Sequence, residues 1–235
     1  MAEHNNLLAT LRPSDRAMLD PYMTPCELES SEILFDPGDT VDQCFFPVGS
    51  AIGSFFIPLD SGLSVETVMI GREGAMGGIV SNGHLPSFSR FVVVHGGTFL
   101  KLPVPALDEA KEASSSIRNL FSRYADCMMA QVFQSIACNA THAIEQRAAK
   151  WLTAAVERTG HDDITMTQEQ LASMMGIGRS YASRVLQRFK RDGMVRTRRG
   201  GIQVLDHDGL MQRACTCNSM VREHFRVVLD GVYPE

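Results

Sequence analysis

The sequence predicts an α+β chain in three parts: an N-terminal β jelly-roll over residues 1–113, a long helix over 114–138, and a C-terminal winged helix-turn-helix over 139–235. Three observations predict it. Short strand-like runs alternate with turn signals up to Pro103, a stretch without Gly or Pro follows, and the last third carries a helix-turn-helix spacing ahead of an arginine-rich hairpin.

The β part is read from about Ser31 to Pro103. Cys44–Val48, Gly53–Ile57, Ser64–Ile70 and Phe91–Val94 are rich in β-branched, aromatic and other apolar residues. Pro37-Gly38-Asp39, Asp60-Ser61-Gly62, Gly71 to Gly78, Asn82-Gly83 and Gly96-Gly97 punctuate them. Many short strands at close spacing imply a sandwich or jelly roll. A helical lead-in from Leu7 to Met23 precedes it.

Ser114 to Ala137 contains only three charged residues, Arg118, Arg123 and Asp126, and its length corresponds to roughly 36 Å of helix. One face carries Ile117, Phe121, Tyr124 and Met128; another carries Ala125, Met129, Val132 and Ile136. A helix apolar on two sides needs two surfaces to pack against. The β part supplies one, and the same helix of a second subunit is the economical choice for the other, with Ile117, Phe121, Tyr124 and Met128 placed at that seam. The alternative is a helix buried wholly within one chain. Asn139 is a plausible N-cap for a further helix, Ala140 to Thr159, and Asp206 to Leu229 reads as one terminal helix.

Charge localises the function. The chain has 22 Lys/Arg against 27 Asp/Glu, a net −5, yet Thr165 to Gly201 holds eight basic and two acidic residues. A basic island on an acidic protein is what contact with nucleic acid requires. Within it, Thr167-Gln168-Glu169-Gln170 is a T-x-x-Q capping box that starts a short helix ending at Met175. Gly176 permits a corner, Ala172 is small where two helices cross, and Leu171, Ile177, Ala182 and Val185 lock the pair together. Arg179, Ser180, Tyr181 and Arg184 are left on the outer face of the second helix, where base edges are read. Thr167, Lys190, Arg198 and Arg199 are assigned to phosphates. The last two belong to the hairpin from Val195 to Val204, a basic wing.

This order of parts resembles the CRP/FNR superfamily of transcription regulators. The resemblance is carried by ILFDPGDTVDQCFFPVGSAIGSFF, GREGAMGG and TQEQLASMMGIGRSYASRVLQRFKRDGMV. It implies a homodimer paired through its long helices, an N-terminal domain of cyclic-nucleotide-binding shape, and double-stranded DNA bound at a palindromic site. RNA polymerase is the implied protein partner, and the cytoplasm the implied location. The effector is unknown. Cyclic-AMP-responsive members carry a Gly-Glu pair for the ribose, and here the phrase is Gly77-Gly78; the later segment reads Ser87-Phe88-Ser89-Arg90-Phe91, out of pattern for a cyclic phosphate. Glu73 is read as a turn charge.

Cys26 and Cys44 are too far apart for the N-terminal cysteine cluster of the iron–sulfur branch, so no cofactor and no metal are predicted. Cys215-Thr216-Cys217, with His207 and His224 nearby, raises a thiol- or metal-responsive alternative. Residues i and i+2 of one helix point about 200° apart, which argues against a shared ion. A second alternative is an interaction module that has lost DNA binding. No nucleophile elbow, zinc helix, P-loop or paired-carboxylate motif suggests an enzyme, and no stretch approaches a membrane-spanning length of apolar residues.

Overall fold

The computed structural model describes residues 4–80, 82–83 and 85–233, so the outer limits expected for the first and last domains, residues 1 and 235, lie outside the described residues. Two short helices, α1 (Asn6–Ala9) and α2 (Pro13–Leu19), with a 3-10 turn at Asp20–Tyr22, form the lead-in expected as a single helix. Pro13 sits in the first turn of α2, where its missing N–H costs nothing, and so marks the break.

Among the described residues ten strands follow: β1 (Thr24–Leu28), β2 (Ile33–Phe35), β3 (Thr40–Val41), β4 (Gln43–Pro47), β5 (Ile52–Pro58), β6 (Ser64–Ile70), β7 (Met76–Gly77), β8 (Leu85–Pro86), β9 (Arg90–His95) and β10 (Gly97–Pro103). They form two four-stranded antiparallel sheets, β1-β10-β4-β7 and β2-β9-β5-β6, plus the small pair β3-β8. Phe35, Phe45, Ile70, Met76, Val93 and Phe99 fill one core of this jelly roll. β1 begins ahead of the expected start at Ser31. It is an edge strand with mostly exposed side chains and a proline, so it carries little hydrophobic alternation to read.

Helix α3 (Val104–Ala113) precedes the long helix α4 (Ser115–Thr141). Ser114 caps α4 by accepting from the Ile117 N–H. α4 continues beyond the expected end at residue 138, and Asn139 lies inside it rather than at an N-cap. The break falls at His142-Ala143, where Gln146 Oε1 accepts the Ala143 N–H at 3.1 Å and α5 (Ile144–Thr159) begins.

The two apolar faces of α4 are present, but the expected seam is corrected. Ile117, Phe121 and Tyr124 are at most 1% exposed and pack inside the chain, with Leu7, Phe46 and Leu107 in the same core. Tyr124 is held on both sides of its hydroxyl, which accepts from Ala75 N at 2.9 Å and donates to Ala75 O at 3.0 Å. Met128 joins the same cores as a partly buried side chain. The face left open is the other one, where Met129, Val132, Phe133 and Ile136 are exposed. Once the β part claims one face of the helix, its opposite face is the one available to a partner.

The C-terminal part contains β11 (Asp163–Thr165), α6 (Gln168–Met175), α7 (Arg179–Arg191), β12 (Val195–Arg198) and β13 (Gly201–Val204), with sheet order β11-β13-β12. The terminal segment is two helices, α8 (His207–Arg213) and α9 (Cys217–Asp230), rather than one. Cys215 and Thr216 lie in the break, so the opposite-face geometry expected for Cys215 and Cys217 does not hold. α9 lies along α4: Phe225 meets Tyr124 edge to face, and Arg123 Nη1 donates to Val228 O at 2.8 Å. Beyond it, the Tyr233 hydroxyl donates to Asp15 at 2.7 Å, joining the end of the chain to its beginning.

Candidate nucleic-acid interface

Thr167 ends β-like backbone and caps α6. Its hydroxyl accepts from Gln170 N at 3.1 Å, while Gln170 Oε1 accepts from Thr167 N at 2.7 Å. Both orphan donors of the helix start are thereby satisfied. Gly176 then adopts φ +65, a left-handed conformation open to glycine at little cost, and turns the chain into α7. Leu171, Ala172, Ala182, Val185, Leu186 and Phe189 are buried where α6 and α7 meet and where both rest on α5, through Leu152 and Ala155. Ile177 packs against the same cluster. The core of the helix pair is therefore composed of the residues whose spacing identified it.

The opposite face of α7 is exposed. Arg179, Ser180, Tyr181 and Arg184 all lie on it, followed by Gln187, Arg188, Lys190 and Arg191. The Arg184 guanidinium sits over the Tyr181 ring, 5.1 Å from its centroid, so each side chain limits where the other points. Arg188 is bound to Glu145 at 3.0 Å, and Arg191 and Arg213 flank Asp192. On α7 these pairs leave Arg179, Arg184 and Lys190 as the cations without a carboxylate partner among the described residues.

The wing is tied to β11. Arg198 closes its fork on Asp163, with Nε and Nη2 donating at 2.9 and 2.7 Å. Its charge faces a carboxylate across the β11-β13-β12 sheet, and both side chains stay about half exposed. Sequence spacing alone could not show this, because Asp163 is 35 residues away and reaches Arg198 only when β11 pairs with β13. Arg196 and Arg199 stay exposed on the same hairpin, and Gly200 at φ +72 makes its turn. Thr167 is exposed at the start of α6, with its hydroxyl proton free to donate to an anion.

α6 also rests against the β part. Gln170 Nε2 donates to Ser31 Oγ at 2.8 Å and Ser173 Oγ to Ser64 O at 3.1 Å. Beneath this contact, Trp151 Nε1 donates to Glu66 Oε2 at 2.8 Å, and Ser54 donates to the other carboxylate oxygen at 2.6 Å. Burial raises the Glu66 carboxyl above its ordinary range, and the two donors offset only part of that effect. Arg147 Nη2 donates to Met175 O at 3.1 Å, linking α5 to the end of α6. None of these ties is legible from local sequence.

The space beside Gly77 and Gly78 is lined mostly by apolar side chains, with Ser87 and Ser89 among them. A cavity of 280 Å³ is bordered by Phe55, Ile79, Val80, Leu85, Phe88 and Phe91. A Cβ at Gly78 would come within 3.0 Å of the Val104 side chain, a tight approach that asks that side chain to shift slightly. Arg90 is paired with Asp36 and lines a separate cavity towards Thr165 and Gln170. Glu73 accepts from Gly71 N and pairs with Arg158 at 2.6 Å, so its charge fixes a turn against α5. Among the described residues no helix is long and apolar enough to cross a membrane.

Residues 146–213 match the family described as the Crp-like helix-turn-helix domain. No curated protein matches the chain. Among solved structures, FixK2 from Bradyrhizobium japonicum is similar at 11% identity and TM-score 0.69, over 82% of this chain and 98% of that one. A CRP-family transcriptional regulator from Thermus thermophilus is similar at 15% identity and TM-score 0.67, over 80% and 96%. The c-di-GMP responsive global regulator CLP of Xanthomonas campestris is similar at 13% identity and TM-score 0.65, over 82% and 99%. The chain thus has the fold of the CRP/FNR transcription regulators and carries a Crp-like helix-turn-helix domain.

Proposed function

We propose that this chain is a sequence-specific, DNA-binding transcription regulator that acts as a homodimer on a palindromic site without requiring cyclic AMP. The observation that carries the reading is the outer face of α7: Arg179, Ser180, Tyr181 and Arg184 stand exposed together on a helix whose other face is locked into the core. Arg179 and Arg184 have the donor geometry for guanine O6 and N7, Ser180 discriminates less than a carboxylate would, and Tyr181 suits a thymine methyl or a phosphate. Thr167, Lys190 and Arg199 position the domain through phosphates, joined by the exposed Arg196.

Dimer formation runs through the open face of α4, where Ala125, Met129, Val132 and Ile136 recur at the spacing of a coiled-coil seam, with Phe133 beside them. Two recognition helices related by that two-fold axis face half-sites ~34 Å apart. RNA polymerase is the protein partner that such a regulator addresses. A chain of this kind acts in the cytoplasm, where it meets DNA, and binds rather than transforms its ligands.

Selection of binding sites from random DNA, repeated across a salt series, tests the reading. Arg184→Ala is expected to cost ~1–3 kcal/mol and to relax preference at one base pair per half-site. Arg199→Ala weakens all sequences alike and lowers the salt slope by about one unit for each phosphate it no longer neutralises. Selection that yields no enriched sequence from the parent protein would overturn the proposal.

A further inference from the structure

Three of the six cysteines gather where the long helix ends. Cys138, Cys215 and Cys217 form a buried group of their own, separate from the larger cores, and the imidazole of His142 faces it. Cys138 and His142 are four residues apart at the end of α4, so their side chains share one face. Cys215 lies in the break after α8 and Cys217 opens α9, so backbone that has left the helix brings both sulfurs to the same side.

The distances suit one small ion. Cys138 Sγ and Cys215 Sγ are 3.6 Å apart, Cys217 Sγ and His142 Nδ1 are 3.6 Å apart, and all four ligand atoms lie within 4.8 Å of one another. Zn–S bonds of ~2.3 Å and Zn–N bonds of ~2.0–2.1 Å give a tetrahedron with edges of about 3.8 Å between sulfurs and about 3.6 Å between sulfur and nitrogen. Two polar donors also converge on the sulfurs: Gln134 Nε2 reaches Cys217 Sγ at 3.1 Å and Lys150 Nζ reaches Cys138 Sγ at 3.5 Å. The sulfur of a neutral thiol accepts only weakly, whereas an ammonium and an amide at this distance favour metal-bound thiolates. His207 and His224 are not part of this set.

We propose that Cys138, His142, Cys215 and Cys217 form a closed tetrahedral site for a single Zn(II) ion, which fastens the end of α4 to the joint between α8 and α9. On binding, each of the three thiols releases its proton to solvent and neutral His142 donates through Nδ1, leaving one net negative charge opposite the Lys150 ammonium. The ion spans the His142-Ala143 break and therefore fixes how the helix-turn-helix domain leaves the long helix. The site does not depend on the DNA-binding reading, because it is measured without nucleic acid.

The test uses the full chain, reduced and freed of metal, titrated with Co(II) and separately with Zn(II), with metal content measured after dialysis. One equivalent per chain is expected, with sulfur-to-cobalt charge transfer and the visible bands of tetrahedral Co(II). Cys217→Ser and His142→Ala each weaken Co(II) binding more than 100-fold, beyond the roughly 10- to 100-fold expected when a supporting group is removed as in Lys150→Met. Cys26→Ser, on β1, leaves the titration unchanged. His142 is only half-buried, so His142→Ala and Lys150→Met carry the test if a cysteine variant fails to fold. Co(II) uptake without thiolate charge transfer, a titration indifferent to these variants, or reduced protein that takes up no metal overturns the site.

Discussion

Phe133→Asp separates the two faces of α4. Phe133 is 63% exposed. Of the roughly 200 Å² that a phenylalanine offers, about 125 Å² is therefore open to a partner. At about 25 cal/mol per Å², full burial contributes about 3 kcal/mol per protomer and about 6 kcal/mol to a symmetric pair, an upper bound because association does not convert area completely. If half is realised, loss of both phenylalanines weakens the dimer by about 3 kcal/mol, more than 100-fold in Kd, before the cost of burying two like charges. The fold itself should survive, because the substituted side chain faces solvent within one chain. Phe121→Asp is the counterpart: a charge at a position only 1% exposed, packed against Phe46, must unfold or expand the chain. Sedimentation across a concentration series and circular dichroism on both variants provide the assay. Phe133→Asp as dimeric as the parent, or Phe121→Asp folded but monomeric, would refute the assignment of faces.

Tyr124→Phe strips the Ala75 N–H and C=O of their buried partner, and two orphaned groups at about 1–3 kcal/mol each should lower the urea midpoint by an amount corresponding to about 2–6 kcal/mol. Glu66 gives a pH signature. Its folded carboxyl is raised above the ordinary value of 4.5, so the native state binds the extra proton, and its contribution to stability is lost as pH rises from 4.5 through the folded value. Urea midpoints measured over that window should fall less steeply for Glu66→Gln than for the parent; equal slopes would show that this carboxyl titrates normally. Titration calorimetry with cyclic AMP should detect no micromolar binding, since the missing carboxylate alone is worth ~1.5–3 kcal/mol, roughly 10- to 150-fold in affinity.

The helix-turn-helix was legible because its determinants are local. A capping box, a glycine corner and apolar positions within about 20 residues specify a helix pair whose geometry follows from steric fit, and Thr167, Gly176, Ala172 and Val185 occupy the places their spacing requires. The strand runs were legible for a similar reason, since alternation and turn chemistry are properties of short segments. The sequence also showed that α4 has two apolar faces. It could not say which face belonged to which neighbour, because Phe121 and Phe133 are equally apolar until β4 brings Phe46 against one of them.

Tertiary contact decided the rest. Arg198 is assigned to phosphate by its position in the wing, and its contact with Asp163 arises only once β11 pairs with β13. Cys215 and Cys217 were on opposite sides of an imagined helix until the break at Ala214 to Thr216 turned both toward Cys138 and His142, some 75 residues earlier in the chain. By itself the sequence determined the order of the β part, the long helix and the helix-turn-helix, and which segment carries the positive charge, because backbone sterics and charge act over a few residues. Only the folded chain decided which side chains are consumed by internal contacts and which remain for a partner, because burial is a property of what lies opposite, and that neighbour is set by the packing of distant elements.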